Sequence, residues 1–176
     1  AGLQINVVSF TLAQVQVRGN KRTPADALTR QISIEPGQSI NTSRVVEDLN
    51  WLNLNPFRPI SGVFSPGNAF GQTNLILQVD EKKPWSAYLG VSNTGTDGTY
   101  DERIFAGGNA QIMPGSDHQI SYLMTAAPEN IARGALVDNR NDKGYLSHSL
   151  GYFIPLSTPS GHRQKLSFQV SYVDRY

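Results

Sequence analysis

The chain has 176 residues, a net charge of +1 and no cysteine, and charged residues make up 16% of it. This balance excludes disulfide and thiolate chemistry, offers no concentrated basic face for nucleic acid, and allows one domain with a real core or two small ones. No apolar run approaches the roughly 18 residues of a transmembrane helix, an argument that does not reach β-barrels, whose alternating strands average out.

Residues 1–10 are a mixed lead-in, and the chain, starting at Ala1 without a signal peptide, is expected to be a piece of something larger. From Thr11 to Arg18, Ala13, Val15 and Val17 alternate with Gln14, Gln16 and Arg18, which predicts a half-buried strand ending at the turn pair Gly19-Asn20. Thr23-Pro24 reads as an N-cap followed by proline at the first helical position, with Asp26 in the first turn. Leu28 and Ile32 share a face, and Glu35-Pro36-Gly37 stops the helix. Asn41-Thr42-Ser43 offers caps for a second helix. There Val45, Val46, Leu49 and Leu52 keep the helical period while Arg44, Glu47, Asp48 and Asn50 fall elsewhere.

Asn55-Pro56 ends that helix. Ile60–Ser65 and Asn74–Val79 then form two strands of a hairpin broken at Pro66-Gly67, with Leu75, Leu77 and Val79 on one face. The order strand, helix, helix, strand, strand predicts an α+β domain of about 75 residues, two helices covering one face of a three-stranded sheet. Asp80-Glu81-Lys82-Lys83 reads as a solvated hinge.

Beyond Pro84 the rhythm becomes strictly two. Trp85–Asn93, Arg103–Met113, His118–Ala126, Leu146–Ile154 and Lys165–Tyr172 are expected strands, joined by Thr94–Gly98, Pro114–Asp117, a polar loop over about 128–144, and Pro155–His162. Such strands, with aromatic residues at strand ends (Trp85, Tyr172), suit the wall of an outer-membrane β-barrel; a soluble sandwich would show the same alternation. On the barrel reading Leu166, Phe168, Val170 and Tyr172 face lipid, and Lys165, Ser167, Gln169 and Ser171 face the lumen. Five strands cannot close alone, so two open edges are expected to drive self-association or a need for detergent.

Little here suggests catalysis. His118, His148 and His162 lack metal-ligand spacing, and Asp117-His118 has no nucleophile elbow to serve, so both are read as solvated turn residues. Gly107-Gly108 falls inside a strand, where glycine marks a bend or close packing. No enzyme, no metal and no cofactor is the expectation.

The segments Val15–Asn20, LNLNPF, SPGNAFGQTNLILQVDEKKPW, GVSNTGTDGTYDERIFAGGNA and SHSLGYFIPL together resemble the haemolysin and haemagglutinin transporters of two-partner secretion. The resemblance implies a membrane-proximal POTRA domain (polypeptide-transport-associated) over residues 11–83, in the periplasm of a Gram-negative bacterium. It implies the first strands of an incomplete transmembrane β-barrel over 84–176, in the outer membrane and in contact with its lipid. The implied client is a secreted exoprotein of β-helical haemolysin or adhesin type. The implied client-binding element is the edge strand Ile60, Ser61, Gly62, Val63, Phe64 and Ser65, helped by Arg44 of the second helix, with Ile60 and Phe64 turned toward the helices. An upstream POTRA domain, a plug helix and the Val-Arg-Gly-Tyr loop of that family are missing, since Val17-Arg18-Gly19-Asn20 lies in a POTRA strand. A fragment that binds but forms no pore is the consequence. Two other readings share the pattern: a POTRA–barrel factor that assembles outer-membrane proteins, and a soluble binding module with a β-sandwich tail.

Overall fold

The computed structural model describes residues 10–95, 101–112, 116–132, 134, 144–157 and 162–175. By its contacts the chain divides into two compact units, Ala1–Lys82 with Ser157–Arg163, and Lys83–Leu156 with Gln164–Tyr176. Residues 1–9 of the expected lead-in lie outside the described residues, as do most of the connections at 94–98 and 128–144, half of the one at 114–117 and half of the one at 155–162.

In the first unit the elements run β1 (Thr11–Arg18), α1 (Ala25–Thr29), α2 (Thr42–Leu52), β2 (Ile60–Pro66) and β3 (Gln72–Val79), and the sheet order is β1-β3-β2. β1 and β3 are parallel, as a connection containing two helices permits, while the β2–β3 hairpin is antiparallel in continuous register. The core joins Leu12, Leu28, Ile32, Ile34, Val45, Leu52, Ile60, Leu75, Leu77 and Val79, so the helices cover one face of the sheet.

Four details depart from the sequence reading. An irregularity in β1 between Leu12 and Val15 shifts the parity, so that Leu12, not Ala13, joins Val15 and Val17 on the core face. α1 stops at Thr29; Gln31 and Ile32 close tighter turns onto Leu28 and Thr29, and the chain leaves the helix to give the Ser33 N–H to Asp48 at 2.8 Å. Thr23 is not its cap: the capping position is Pro24, without a side-chain bond, and the Thr23 N–H goes instead to Glu81. In α2, capped by Asn41 Oδ1 on the Arg44 N–H, Val46 is exposed while Asp48 is buried, the reverse of what polarity suggested.

The second unit is one antiparallel meander, β4 (Trp85–Ser92), β5 (Arg103–Gln111), β6 (Gln119–Ala126), β7 (Tyr145–Ser157) and β8 (Arg163–Arg175), in the order β4-β5-β6-β7-β8. Among the described residues its five strands form a single sheet, with no second sheet facing it. β7 runs through Pro155 to Ser157, residues expected in a loop, β8 begins at Arg163, two residues before the expected strand, and a short α3 (Pro128–Ala132) opens the polar connection. Register carries one face straight across: Trp85 meets Ala110, Ala110 meets Ile120, and Ile120 meets Tyr152. Gly107 is required by close approach, since a Cβ there would lie 2.7 Å from the Tyr88 ring and from the Tyr122 carbonyl. Among the described residues no helix is long and apolar enough to cross a membrane, which does not bear on strands.

Candidate functional site

β3 is central, so β2 has one paired side and one open side. Which backbone groups lie on the open side follows from two sets of bonds. The Asp80 N–H donates to the Pro59 carbonyl (2.9 Å) and the Gly67 N–H to the Gln72 carbonyl (2.9 Å), which makes the odd-numbered positions of β2 the hydrogen-bonded pairs. Ile60, opposite Val79, therefore turns its N–H and C=O outward, and both are taken by one side chain: Asn53 accepts from Ile60 N–H (2.8 Å) and donates to Ile60 C=O (2.8 Å). The same amide group also donates to the Leu49 carbonyl at the end of α2 (2.9 Å).

By the same alternation Gly62 and Phe64 direct N–H and C=O to the open edge, while Ser61, Val63 and Ser65 spend theirs on β3. At the far end Pro66 has no N–H, and its carbonyl accepts from the Asn74 side chain at 3.1 Å. The available edge is thus two residues long, bracketed by Asn53 and Pro66. A Cβ on Gly62 would come 2.9 Å from Leu49, so the glycine lets α2 pack close against this edge.

The expected client-binding residues divide accordingly. Ile60 is buried and its backbone is occupied, so it supports the edge and does not offer it. Phe64 shares the helix-facing side of β2 but is 43% exposed, because it lies beyond the cover of the core. It lines a hollow of about 370 Å³ with Phe10, Pro66, Ala69 and Phe70. Val63 is exposed on the opposite face, Ser61 is exposed and Ser65 half-buried. Arg44 sits in the first turn of α2, exposed, and its guanidinium makes no ion pair among the described residues. Phe10 and Phe70 were not singled out in the sequence, where Phe10 ended the unplaced lead-in and Phe70, between Ala69 and Gly71, fell in the connection of the hairpin.

The supposed solvated hinge is partly built into the fold. The Glu81 side chain is 3% exposed, and its two oxygens accept from the backbone N–H of Arg22 (2.7 Å) and Thr23 (2.8 Å). Arg22 adds an ion pair at 3.6 Å and donates to the Lys82 carbonyl. Burial alone would raise the carboxyl's pKa, but the N–H groups of Thr23, Arg22 and Lys21 and the Thr23 hydroxyl outweigh it and lower it from 4.5 to about 2.

In the second unit His118 is not a solvated turn residue, and His148 lies within β7 as the strand reading implied. His118 Nδ1 meets the Tyr152 hydroxyl at 2.8 Å, and His148 Nδ1 meets that of Tyr122 at 2.7 Å. Tyr172 lies 6.5 Å from His148 ring to ring, which puts it on the face of Tyr122. Ser171 and Gln169 reach Ser149, each at 3.1 Å, on the other face. Of the four residues expected to face lipid, Leu166, Phe168, Val170 and Tyr172, all are exposed in this chain, as are Lys165, Ser167, Gln169 and Ser171 between them.

Residues 10–57 match the POTRA family, described as surface antigen variable number repeat. A Treponema pallidum (strain Nichols) protein, provisionally named an outer membrane protein assembly factor, is 26% identical over 132 residues, covering 72% of this chain and 16% of that protein. Among solved structures, CdiB from Acinetobacter baumannii aligns over 93% of this chain and 28% of its own at a TM-score of 0.60 and 14% identity. BamA from Haemophilus ducreyi lacking POTRA domains 1–3 aligns over 94% of this chain and 28% of its own, with a TM-score of 0.56 and 19% identity. The chain therefore spans less than a third of each of these proteins. Its fold is a POTRA domain followed by an antiparallel sheet of the kind found in those two structures.

Proposed function

We propose that this chain is part of an outer-membrane transporter of two-partner secretion. The POTRA domain lies in the periplasm and takes up a secreted exoprotein, and the strands from Trp85 onward belong to the wall of the barrel that exports it. The observation that carries the reading is the short open edge of β2. Gly62 and Phe64 hold two N–H and two C=O groups outward in a fixed frame, and an extended client segment can add to such an edge as a further strand. Backbone bonds give affinity there, and the neighbouring side chains Phe64 and Val63 give selectivity. The hairpin SPGNAFGQTNL and the turn SNTGT favour the secretion branch by their resemblance to it.

A second reading, assembly of other outer-membrane proteins, is favoured by the name of the Treponema relative. A photo-crosslinking residue at Val63 of the full-length protein in its own membrane separates the two. Adducts with one secreted exoprotein support transport; adducts with many newly made outer-membrane proteins support assembly. No adduct with either removes the edge as the recognition element.

A further inference from the structure

Asp48 is a charged group 1% exposed within the POTRA core, and its two oxygens have separate duties. Oδ2 accepts from the Ser33 N–H at 2.8 Å and from the Ser33 hydroxyl at 2.9 Å, so it secures the irregular stretch after α1. Oδ1 accepts from Nη2 of Arg163 at 2.6 Å, across 115 residues of sequence. The same nitrogen donates to the Gln31 carbonyl at 2.7 Å, and the guanidinium carbon lies 5.6 Å from the centre of the Trp51 ring. Arg163 is grouped with the first unit by its contacts, although β8 begins with it.

A carboxylate, a carbonyl and an aromatic ring meeting one side chain form a receptor with the selectivity of a planar, delocalised cation. Nη2 alone meets both oxygens, which an ammonium could also do, but a compact ammonium placed there would not extend a delocalised planar group toward the ring as the guanidinium does. Ser33 neutralises no charge, so without Arg163 the Asp48 carboxylate stands in the core with no counter-ion. We propose that Gln31, Asp48 and Trp51 form a guanidinium receptor, that Arg163 is its resident occupant, and that Arg163 thereby completes the POTRA domain from far downstream. Asp48 and Trp51 lie on α2, the helix whose Leu49 packs against Gly62, so the same contact positions the helix behind the open edge.

The test uses the full chain in detergent, with W85F so that Trp51 alone reports by fluorescence. R163A is expected to shift Trp51 emission and to speed exchange of the Ser33 amide by roughly tenfold or more, as removal of one partner from a buried ion pair requires. Ethylguanidinium at millimolar concentration restores both signals, and ethylammonium does not. R163K recovers only part of the protection, and D48N, which removes the buried charge but leaves the Gln31 carbonyl and the Trp51 ring, narrows the difference between arginine and alanine at 163. If R163A does not fold, R163K with and without ethylguanidinium carries the comparison, and failure of the probe to raise protection overturns the proposal. Equal protection in R163K and the parent, or equal rescue by both cations, also overturns it.

Discussion

Replacing Glu81 with glutamine changes one oxygen to an N–H₂ that must face a backbone N–H, while size and shape stay almost the same. The native carboxylate holds the Arg22 and Thr23 amides at 2.7 and 2.8 Å from a 3% exposed position, and its pKa falls from 4.5 to about 2. That drop corresponds to about 3 kcal/mol of differential stabilisation of the charged form. Because the folded pKa lies below the unfolded one, this contribution is complete above about pH 4.5 and is lost as pH falls toward 2. E81Q should therefore cost the POTRA domain about 2–3 kcal/mol at pH 7, and the gap to the parent should close as the pH falls toward 2. Urea unfolding followed by Trp51 fluorescence in a W85F background, repeated across pH 2–7, measures this directly. Equal midpoints at pH 7, as a solvated hinge requires, would refute the reasoning. So would a gap of constant size down to pH 2, which would point to packing and not to charge.

Asn53→Ala leaves Ile60 N–H, Ile60 C=O and Leu49 C=O without their shared partner, and should lower stability by about 1–3 kcal/mol, read as a drop in the urea midpoint. Arginine at Val170 should cost about 2–4 kcal/mol of folding into liposomes if that face meets lipid near the midplane, while arginine at Gln169 should cost little; equal effects remove the assignment. β4 and β8 each pair on one side only in the five-stranded sheet, so the isolated chain should oligomerise or require detergent. A monodisperse monomer in plain buffer at high concentration, measured by light scattering, contradicts that expectation.

Periodicity and turn residues made the order of elements and the five later strands legible, while the edge position of β2 came from the family resemblance and not from alternation. What escaped them was decided by long-range partners. Asp48 looks like a solvated helix residue until Ser33 and Arg163 converge on it, and no spacing rule links positions so far apart. Glu81 sits in a run of charges that reads as a hinge, and only the return of the chain beside the Arg22–Thr23 backbone buries it. At Leu12 a local irregularity defeated the count of two, because one extra residue exchanges the faces of a strand. The edge itself was legible as a place but not in its chemistry. Proline at Val63 would remove an N–H that turns inward to β3, whereas the outward donors belong to Gly62 and Phe64. Proline at Gly62 is no cleaner, since its ring carbons would meet Leu49.

The central claim is that the outward backbone of β2 holds the client, and it is tested by replacing single amides with esters. In the full-length protein, phenyllactic acid in place of Phe64 removes the outward N–H and keeps the side chain; the hydroxy analogue of Val63 removes an inward one. The account predicts that the ester at 64 weakens binding of the secreted partner by about two- to tenfold, the value of one hydrogen bond, with only a small drop in the unfolding midpoint from the weaker Val63 carbonyl. The ester at 63 should lower the midpoint more and the affinity less, because it removes an inward N–H and only weakens the outward Gly62 carbonyl. Unchanged affinity with the ester at 64, or an equal loss at both positions, would contradict recognition through this edge.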